Sequence, residues 1–428
     1  MAAVLSHAPL AQTCAAASGI LRVQEEFKRG RSRRDRAAPA LKCPMETHRV
    51  PQEQRERGRG EDADADAGMK KRRAAGGVQP GTEAQGSGRS GRSGAEETLM
   101  LELRRLVQEQ VKGSSWWELR GKDCTILGLA FVALVPGFLL LRSSSLLVFA
   151  PALLVLGVCH AVITVKGAHL SSHSSLSRSP LLNRIWAVFF IEVRSVRCGA
   201  FSADAGVQAH VKLHHAHTNV LGLGDSSTWK VPSLSRGLYL FIAPLAVPVI
   251  TPLVALAQLK HQSVLSSLRT LLMVSLGLWS HFWILVRVCG FCSVPSALGC
   301  MFFTRNLFSL PYIHVNIFQH IGLSMFSPDQ RPKRIFQMSH GVLNLPRNLL
   351  LDWTFGHSLI SCHVEHHLFP TLSDNMCLKV KPVVSQFLKS KSLPYQQDSY
   401  LSRLRLFFHQ YHELMVLAPP ITELVGIQ

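Results

Sequence analysis

Acidic side chains are scarce in this 428-residue sequence, where 27 aspartates and glutamates face 46 lysines and arginines and give a formal net charge of +19. A basic excess of this size favours either nucleic acid or anionic lipid as a partner. Much of the excess lies in residues 1–95, which have no hydrophobic period and are predicted to form a disordered basic tail. Several apolar runs of about twenty residues follow, which a nucleic-acid-binding domain does not carry. We therefore expect contact with a lipid bilayer and no nucleic-acid partner.

Other absences narrow the class of protein. The ten cysteines are scattered and do not form the dense framework of a small disulfide-stapled domain. Cys289 and Cys292 form a single C-x-x-C pair, which we interpret as loop cysteines on the lumenal side. The sequence lacks a Gly-rich dinucleotide fingerprint, which argues against direct NAD(P)H binding. The first twenty residues lack a basic start and a continuous apolar core, so we do not expect a secretory signal peptide.

Residues 96–122 differ from the tail that precedes them. Leu103 and Val107 belong to an apolar stripe at helical spacing, and Trp116 and Trp117 follow it. An amphipathic helix that ends in paired tryptophans is typical of a membrane interface, so we predict an interfacial helix here. The alternative is a helix whose apolar stripe packs on the same protein.

Five apolar segments predict the membrane topology. Residues 124–141 and 146–165 form a predicted membrane hairpin, and basic residues on both flanks place those flanks in the cytosol. Segments 238–257, 271–288 and 297–313 follow. Only an even number of crossings returns the chain to the same membrane face, so one of these three should not cross. We choose the proline-rich 238–257 as a re-entrant or interfacial piece. The predicted fold is an all-α multi-pass membrane protein with about four transmembrane helices in two hairpins and a cytosolic histidine-rich cap.

Histidines are unusually abundant and clustered. Of the 20 in the chain, eight fall into three groups, His169-Leu-Ser-Ser-His173, His210-Val-Lys-Leu-His214-His215 and His363-Val-Glu-His366-His367. Spacings of three and four residues put side chains on one helical face, where a pair can bind one metal ion. Neutral imidazole suits iron, zinc, copper or nickel. Eight imidazoles are too many for one metal ion and enough for two.

These three clusters resemble the histidine boxes of the membrane fatty acid desaturases in order, spacing and position after the hairpin. The run His366-His367-Leu368-Phe369-Pro370 resembles the third box and its sequel. The resemblance covers about residues 120–400, which implies a desaturase domain over residues 123–400 and a cytosolic tail over residues 401–428. Two further stretches, 219–229 and 419–428, are similar to a vertebrate group within that family.

The resemblance also implies a ligand set. Asn316-Ile-Phe-Gln-His320 is similar to an Asn-x3-His motif of stearoyl desaturases, which implies His320 as a ninth ligand and Asn316 as a ligand through water. Carboxylates commonly orient ligand histidines through the other ring nitrogen. The candidates for that role, which could equally be surface or helix-capping charges, are Asp225, Asp352 and Glu365. Supporting or structural roles are expected for His217, His314, His340 and His357.

The activity implied by the resemblance is insertion of a double bond into a fatty-acyl chain by two iron ions, with O2 as oxidant. The His-Pro-Gly-Gly motif of a fused haem domain is absent, so cytochrome b5 and its reductase are the expected electron donors. The substrate would be an acyl-CoA or an acyl lipid, in the endoplasmic reticulum membrane, with the metal site facing the cytosol. Two alternatives remain open at this point: a di-iron lipid hydroxylase, or a non-catalytic membrane protein that keeps a metal site for structure.

Overall fold

The computed structural model describes residues 89–193, 203–221, 234–259 and 262–416. The predicted tail up to residue 88, Asp225 and residues 417–428 lie outside these ranges. The described part is mostly helical, with two short strands. Its α-helices are α1 (Arg89–Lys112), α2 (Lys122–Leu140), α3 (Leu146–Ala161), α4 (Gly167–Ser172), α5 (Pro180–Ala187), α6 (Ala203–Val207), α7 (Val247–Leu259), α8 (Val264–Arg287), α9 (Val294–Asn306), α10 (Ser309–Phe318), α11 (Arg334–Gly341), α12 (Leu349–Thr354), α13 (His363–Leu368), α14 (Asp374–Ser390), α15 (Tyr400–His409) and α16 (Tyr411–Val416).

Shorter elements connect these helices. The π-helical turns are Trp117–Gly121, Val162–Lys166, Val188–Val193, Gln208–His214 and Leu238–Ile242. The 3-10 turns are Ala243–Ala246, Pro328–Gln330 and His357–Leu359. Strands β1 (Leu343–Asn344) and β2 (Gln396–Gln397) pair in parallel.

Three helical stretches of the described chain are long and apolar enough to cross a membrane: Trp117–Leu140, Leu146–Ser172 and Val264–Arg287. Leucines on their surfaces are largely exposed, as expected for faces that contact lipid; Leu147 is 87% exposed and Leu265 80%. The fold class of an all-α multi-pass membrane protein is thereby confirmed.

The fourth predicted span, residues 297–313, is divided between α9 and α10 and is not one long helix. The helix is interrupted at Leu307 and Phe308. Pro311 explains the break, because a proline lacks the N–H that would bond to the carbonyl four residues earlier and its ring clashes with that carbonyl, here of Leu307. Helix α9 packs against α3 and α8.

The proline-rich segment 238–257 is also interrupted. It consists of the π-helical turn Leu238–Ile242, the 3-10 turn Ala243–Ala246 and then α7. Pro244 and Pro248 remove backbone donors from the first turns, which prevents one regular α-helix from forming there. The re-entrant arrangement of this segment stays a prediction.

Helix α1 uses its apolar stripe inside the protein. Leu103 and Val107 are buried and belong to a cluster that includes Met338 of α11 and Val384 of α14. This is the second of the two alternatives considered for residues 96–122. The tryptophans that follow are different, since Trp116 is 60% exposed and Trp117 49%.

Candidate metal centre

The nine predicted histidines lie in two compact groups, and all nine are buried. The five-histidine group consists of His169, His173, His210, His215 and His366. The four-histidine group consists of His214, His320, His363 and His367. Within each group one nitrogen from every ring lies within 4.8 Å of the others.

The five-histidine group draws on three parts of the chain. His169 and His173 lie in and just after α4, and the π-helical turn Gln208–His214 with the residue after it contributes two more rings. Its Nε2 atoms face one another at short range. The His173–His210 pair is 2.7 Å apart, the His169–His366 pair 2.9 Å and the His215–His366 pair 3.0 Å.

The four-histidine group shares helix α13 with the first. Residues at positions i, i+3 and i+4 of a helix lie on one face, so α13 directs His363, His366 and His367 toward the site. Its first and last histidines join the four-histidine group, where the Nε2 atoms of His363 and His320 are 2.9 Å apart. His320 follows the C-terminal end of α10.

The geometry fits metal ions with several ligands at right angles. Two imidazole nitrogens, each about 2.1 Å from one ion and at right angles, would be about 3.0 Å apart. Structural zinc takes four protein ligands, so a group of five imidazoles favours a metal of higher coordination number. Burial, together with neighbouring rings, holds the pKa of His215, His320 and His366 well below the usual histidine value. These rings are therefore neutral at pH 7, the form that binds metal.

In the four-histidine group, backbone and hydroxyl oxygens fix the rings. Nδ1 of His363 donates to the carbonyl of Ser358 at 2.8 Å, and Nδ1 of His320 to that of Gly341 at 3.4 Å. A carbonyl only accepts, so both protons are on Nδ1 and both Nε2 lone pairs are free. The ring of His367 faces the Thr218 hydroxyl at 3.1 Å.

The carboxylates expected to orient these rings bond elsewhere. Glu365 accepts hydrogen bonds from the Tyr395 hydroxyl at 2.5 Å and the Asn344 amide at 3.0 Å. It lies two residues after His363 on α13 and so points away from the histidine face. Asp352 accepts from the Ser361 hydroxyl and does not reach a ring of either group among the described residues.

Asn316 and the four histidines expected to have supporting roles lie outside the two histidine groups. Asn316 is 7% exposed in the last turn of α10, four residues before His320. His314 contacts the Tyr400 hydroxyl and the Leu240 carbonyl, away from both groups. The other three histidines expected to have supporting roles, His217, His340 and His357, also lie outside the two groups.

Three arginines that the sequence did not identify bind carbonyls beside the ligand-bearing segments. Arg334 donates to the carbonyls of His367 and Leu368, at the C-terminal end of α13. Arg403 likewise donates to the carbonyls of Phe318 and Ile321, on both sides of His320. The third, Arg331, reaches the carbonyl just after the second histidine cluster. Cations favour helix C-terminal ends, so these arginines stabilise the ends of those segments.

A buried ion cluster, also missed by the sequence, lies behind the five-histidine group. The ammonium of Lys166 is 2.5 Å from Oδ2 of Asp374 and 3.2 Å from Oδ1 of Asp123, and all three side chains are almost fully buried. Burial raises the pKa of Asp374, but the Lys166 charge and the hydrogen bonds from Lys166 and Ser358 act in the opposite direction, and the net shift of that pKa is downward. The carboxylate is therefore ionised at pH 7.

Comparisons with known proteins agree with this geometry. Residues 144–399, more than half of the chain, match the family described as Fatty acid desaturase, and they contain all nine histidines. A Bos taurus protein named Fatty acid desaturase 6 is 60% identical over 336 residues, or 78% of this chain and 97% of that protein. A Homo sapiens protein of the same name is 59% identical over 331 residues, or 77% of this chain and 92% of that protein.

Proposed function

Because the chain belongs to the fatty acid desaturase family, we propose that it is a membrane oxidoreductase that inserts a double bond into a fatty-acyl chain with two bound iron ions. The observation that carries this proposal is the pair of buried histidine groups, five rings and four, beside helices long enough to span a membrane. The family resemblance inferred from the histidine clusters is confirmed by the comparisons.

The expected ligands are the nine histidines, with Asn316 acting through a water molecule. Bound iron would supply the oxidising power that an unactivated methylene requires, with O2, two electrons and two protons consumed and two water molecules formed beside the alkene. The protein contributes rings such as His215, His320 and His366, which are neutral at pH 7 and whose Nε2 atoms face Nε2 atoms of other rings in the two groups. It also contributes burial, since His363 and His367 are 4% and 0% exposed, which keeps bulk water from the centre.

We further propose that cytochrome b5 and its reductase supply the electrons at the cytosolic face of the endoplasmic reticulum membrane. The part of the chain around the site carries basic side chains, among them Arg331, which is exposed and donates to the Ala216 carbonyl just after the second histidine cluster. Such charges attract an acidic redox partner and suit anionic lipid headgroups equally well. The acyl substrate, carried by coenzyme A or by a lipid, would lie among the membrane-spanning helices.

The test is a lipid profile of cells that express the intact chain, with double-bond positions mapped. Cells expressing His366→Ala provide the inactive comparison, because that change removes one imidazole of the five-histidine group. His340→Ala is the matched control, since His340 stacks on Phe336 and lies outside both groups. We expect a new unsaturated acyl species with the intact chain and with His340→Ala, and none with His366→Ala.

Each other result has a definite meaning. Detection of a hydroxylated acyl species would show that the reaction is hydroxylation and not desaturation. Identical lipid profiles in cells that express the intact chain, His366→Ala and His340→Ala, with cytochrome b5 and its reductase co-expressed, would contradict catalysis. Metal analysis of the purified protein then separates a structural zinc protein from an iron protein.

A further inference from the structure

Ser358, in the 3-10 turn His357–Leu359 before α13, contacts one ring from each histidine group. Its hydroxyl oxygen is 3.3 Å from Nδ1 of His169, in the five-histidine group. Its carbonyl oxygen accepts from Nδ1 of His363, in the four-histidine group, at 2.8 Å. Ser358 itself is 1% exposed, so water does not replace these contacts. One residue thus supports rings that belong to different candidate metal sites.

A carboxylate holds Ser358 in place. Oδ1 of Asp374 accepts from both the backbone N–H and the hydroxyl of Ser358. Oδ2 of the same carboxylate binds the ammonium of Lys166 at 2.5 Å. The chain of contacts therefore runs from a buried cation through a carboxylate and a hydroxyl to a candidate metal ligand.

The direction of these hydrogen bonds fixes the tautomer of His169. An ionised carboxylate only accepts, so the hydroxyl of Ser358 donates its proton to Asp374. Its lone pair is then left to accept from Nδ1–H of His169. The Nε2 atom of that ring consequently carries the lone pair and faces His366 in the five-histidine group.

We propose that Ser358 is a positioning residue that joins both metal sites to the buried ion cluster of Asp123, Lys166 and Asp374. This rests on the proposed function, since it requires that the two histidine groups bind metal. Ser358 holds His169 through its hydroxyl and His363 through its carbonyl. The two supports are chemically separate. A substitution of the Ser358 side chain therefore removes the support of His169 and leaves that of His363.

The backbone before Ser358 is shaped around the same carboxylate. Gly356 has a φ of +107°, a conformation that residues with a Cβ rarely adopt. A Cβ added at Gly356 would also collide with the carboxylate of Asp374. The approach of this loop to Asp374 therefore requires glycine there.

The experiment measures iron bound per purified chain and its Mössbauer spectrum, during titration with an iron(II) chelator. We expect Ser358→Ala to lower the iron affinity of the five-histidine group about 10- to 100-fold, the usual effect of losing a hydrogen-bond partner of a metal ligand. The iron of the four-histidine group should stay bound. Iron per chain then falls toward half, and one of two spectral components is lost. The control Ser339→Ala removes a buried hydroxyl that bonds to the Phe336 carbonyl, and should change neither readout.

A second pair separates loss of the hydroxyl from a change of volume. Ser358→Thr and Ser358→Val have the same shape, and only threonine keeps the hydroxyl. We expect the threonine variant to retain more iron at the five-histidine group than the valine variant. Equal iron in these two, or equal loss from both groups in Ser358→Ala, overturns the assignment of Ser358. A wild-type chain that binds no iron overturns the proposed function itself.

Discussion

His169 of the five-histidine group and two rings of the four-histidine group, His320 and His363, are held by different means. In the five-histidine group, His169 depends on a hydroxyl and, behind it, on the Asp374 carboxylate and the Lys166 ammonium. In the four-histidine group, His320 and His363 are held by backbone carbonyls. A backbone carbonyl survives every side-chain substitution, whereas a charged network does not. The two groups should therefore differ in which substitutions disturb them.

The largest expected effect comes from removing one ligand from each group in turn. We expect His173→Ala and His367→Ala each to lower desaturation by more than the roughly 10- to 100-fold that loss of an outer partner costs. His173→Ala should release iron from the five-histidine group and His367→Ala from the other. Product analysis with iron counting and Mössbauer spectra checks this. Loss of the same spectral component in both variants would mean that the grouping is wrong.

A second, smaller effect is expected at the buried ion cluster. Lys166→Met leaves Asp123 and Asp374 buried without their cation, which typically costs about 3–5 kcal/mol of stability. The control is Lys391→Met, because Lys391 pairs with Glu102 at 2.9 Å on the surface, and such pairs contribute about 0–1 kcal/mol. Thermal unfolding in detergent checks the difference. Equal shifts of the melting temperature in the two variants would mean that the buried ion cluster stabilises the protein no more than a surface ion pair does.

The next effect concerns the C-terminal end of α13, which carries rings of both groups. Arg334→Gln loses a charged donor to two carbonyls, an effect of about 1.5–3 kcal/mol. Arg331→Gln is the control, since that arginine is exposed and donates to the single carbonyl of Ala216. Unfolding measurements should show a larger loss of stability for Arg334→Gln than for Arg331→Gln. The reverse ranking would show that the carbonyl contacts of Arg334 do not stabilise α13.

The smallest effect is expected from Tyr395→Phe, which removes the hydrogen bond that the hydroxyl donates to Glu365 and the one that it accepts from the Asn344 amide. The loss should be about 1 kcal/mol of stability, with iron retained equally in both groups, because Glu365 bonds away from the rings. Unfolding curves and iron counting test both parts. Selective loss of iron from one group would mean that Glu365 orients a ligand after all.

Histidine spacing in the sequence indicated which histidines lie near each other, but not which of them belong to the five-histidine group and which to the four-histidine group. The doublets are instructive, since His214 and His215 fall in different groups, as do His366 and His367. Neighbouring residues on a helix point about 100° apart, so a doublet can serve two ions and rarely one. Which member joins which group depends on how the π-helical turn and α13 are rotated against each other, and local spacing does not encode that.

The orienting groups were harder to predict. Glu365 was expected in that role because it stands among the ligands in the sequence, yet its position on α13 turns it away. Ser358 and Asp374 act on His169 from 189 and 205 positions along the chain, as the numbering shows. A short polar side chain carries no local signal of a contact made over that distance.

By itself the sequence determined the class of protein and the histidines that form the site, because apolar length and helical spacing are local properties of the chain. It also indicated that a proline-rich segment departs from a regular helix, for the same reason. The tertiary structure alone decided that α1 packs inside the protein and that the histidines divide five and four. It also decided which side chains hold the rings. These depend on contacts between distant elements, whose geometry only the packed chain defines.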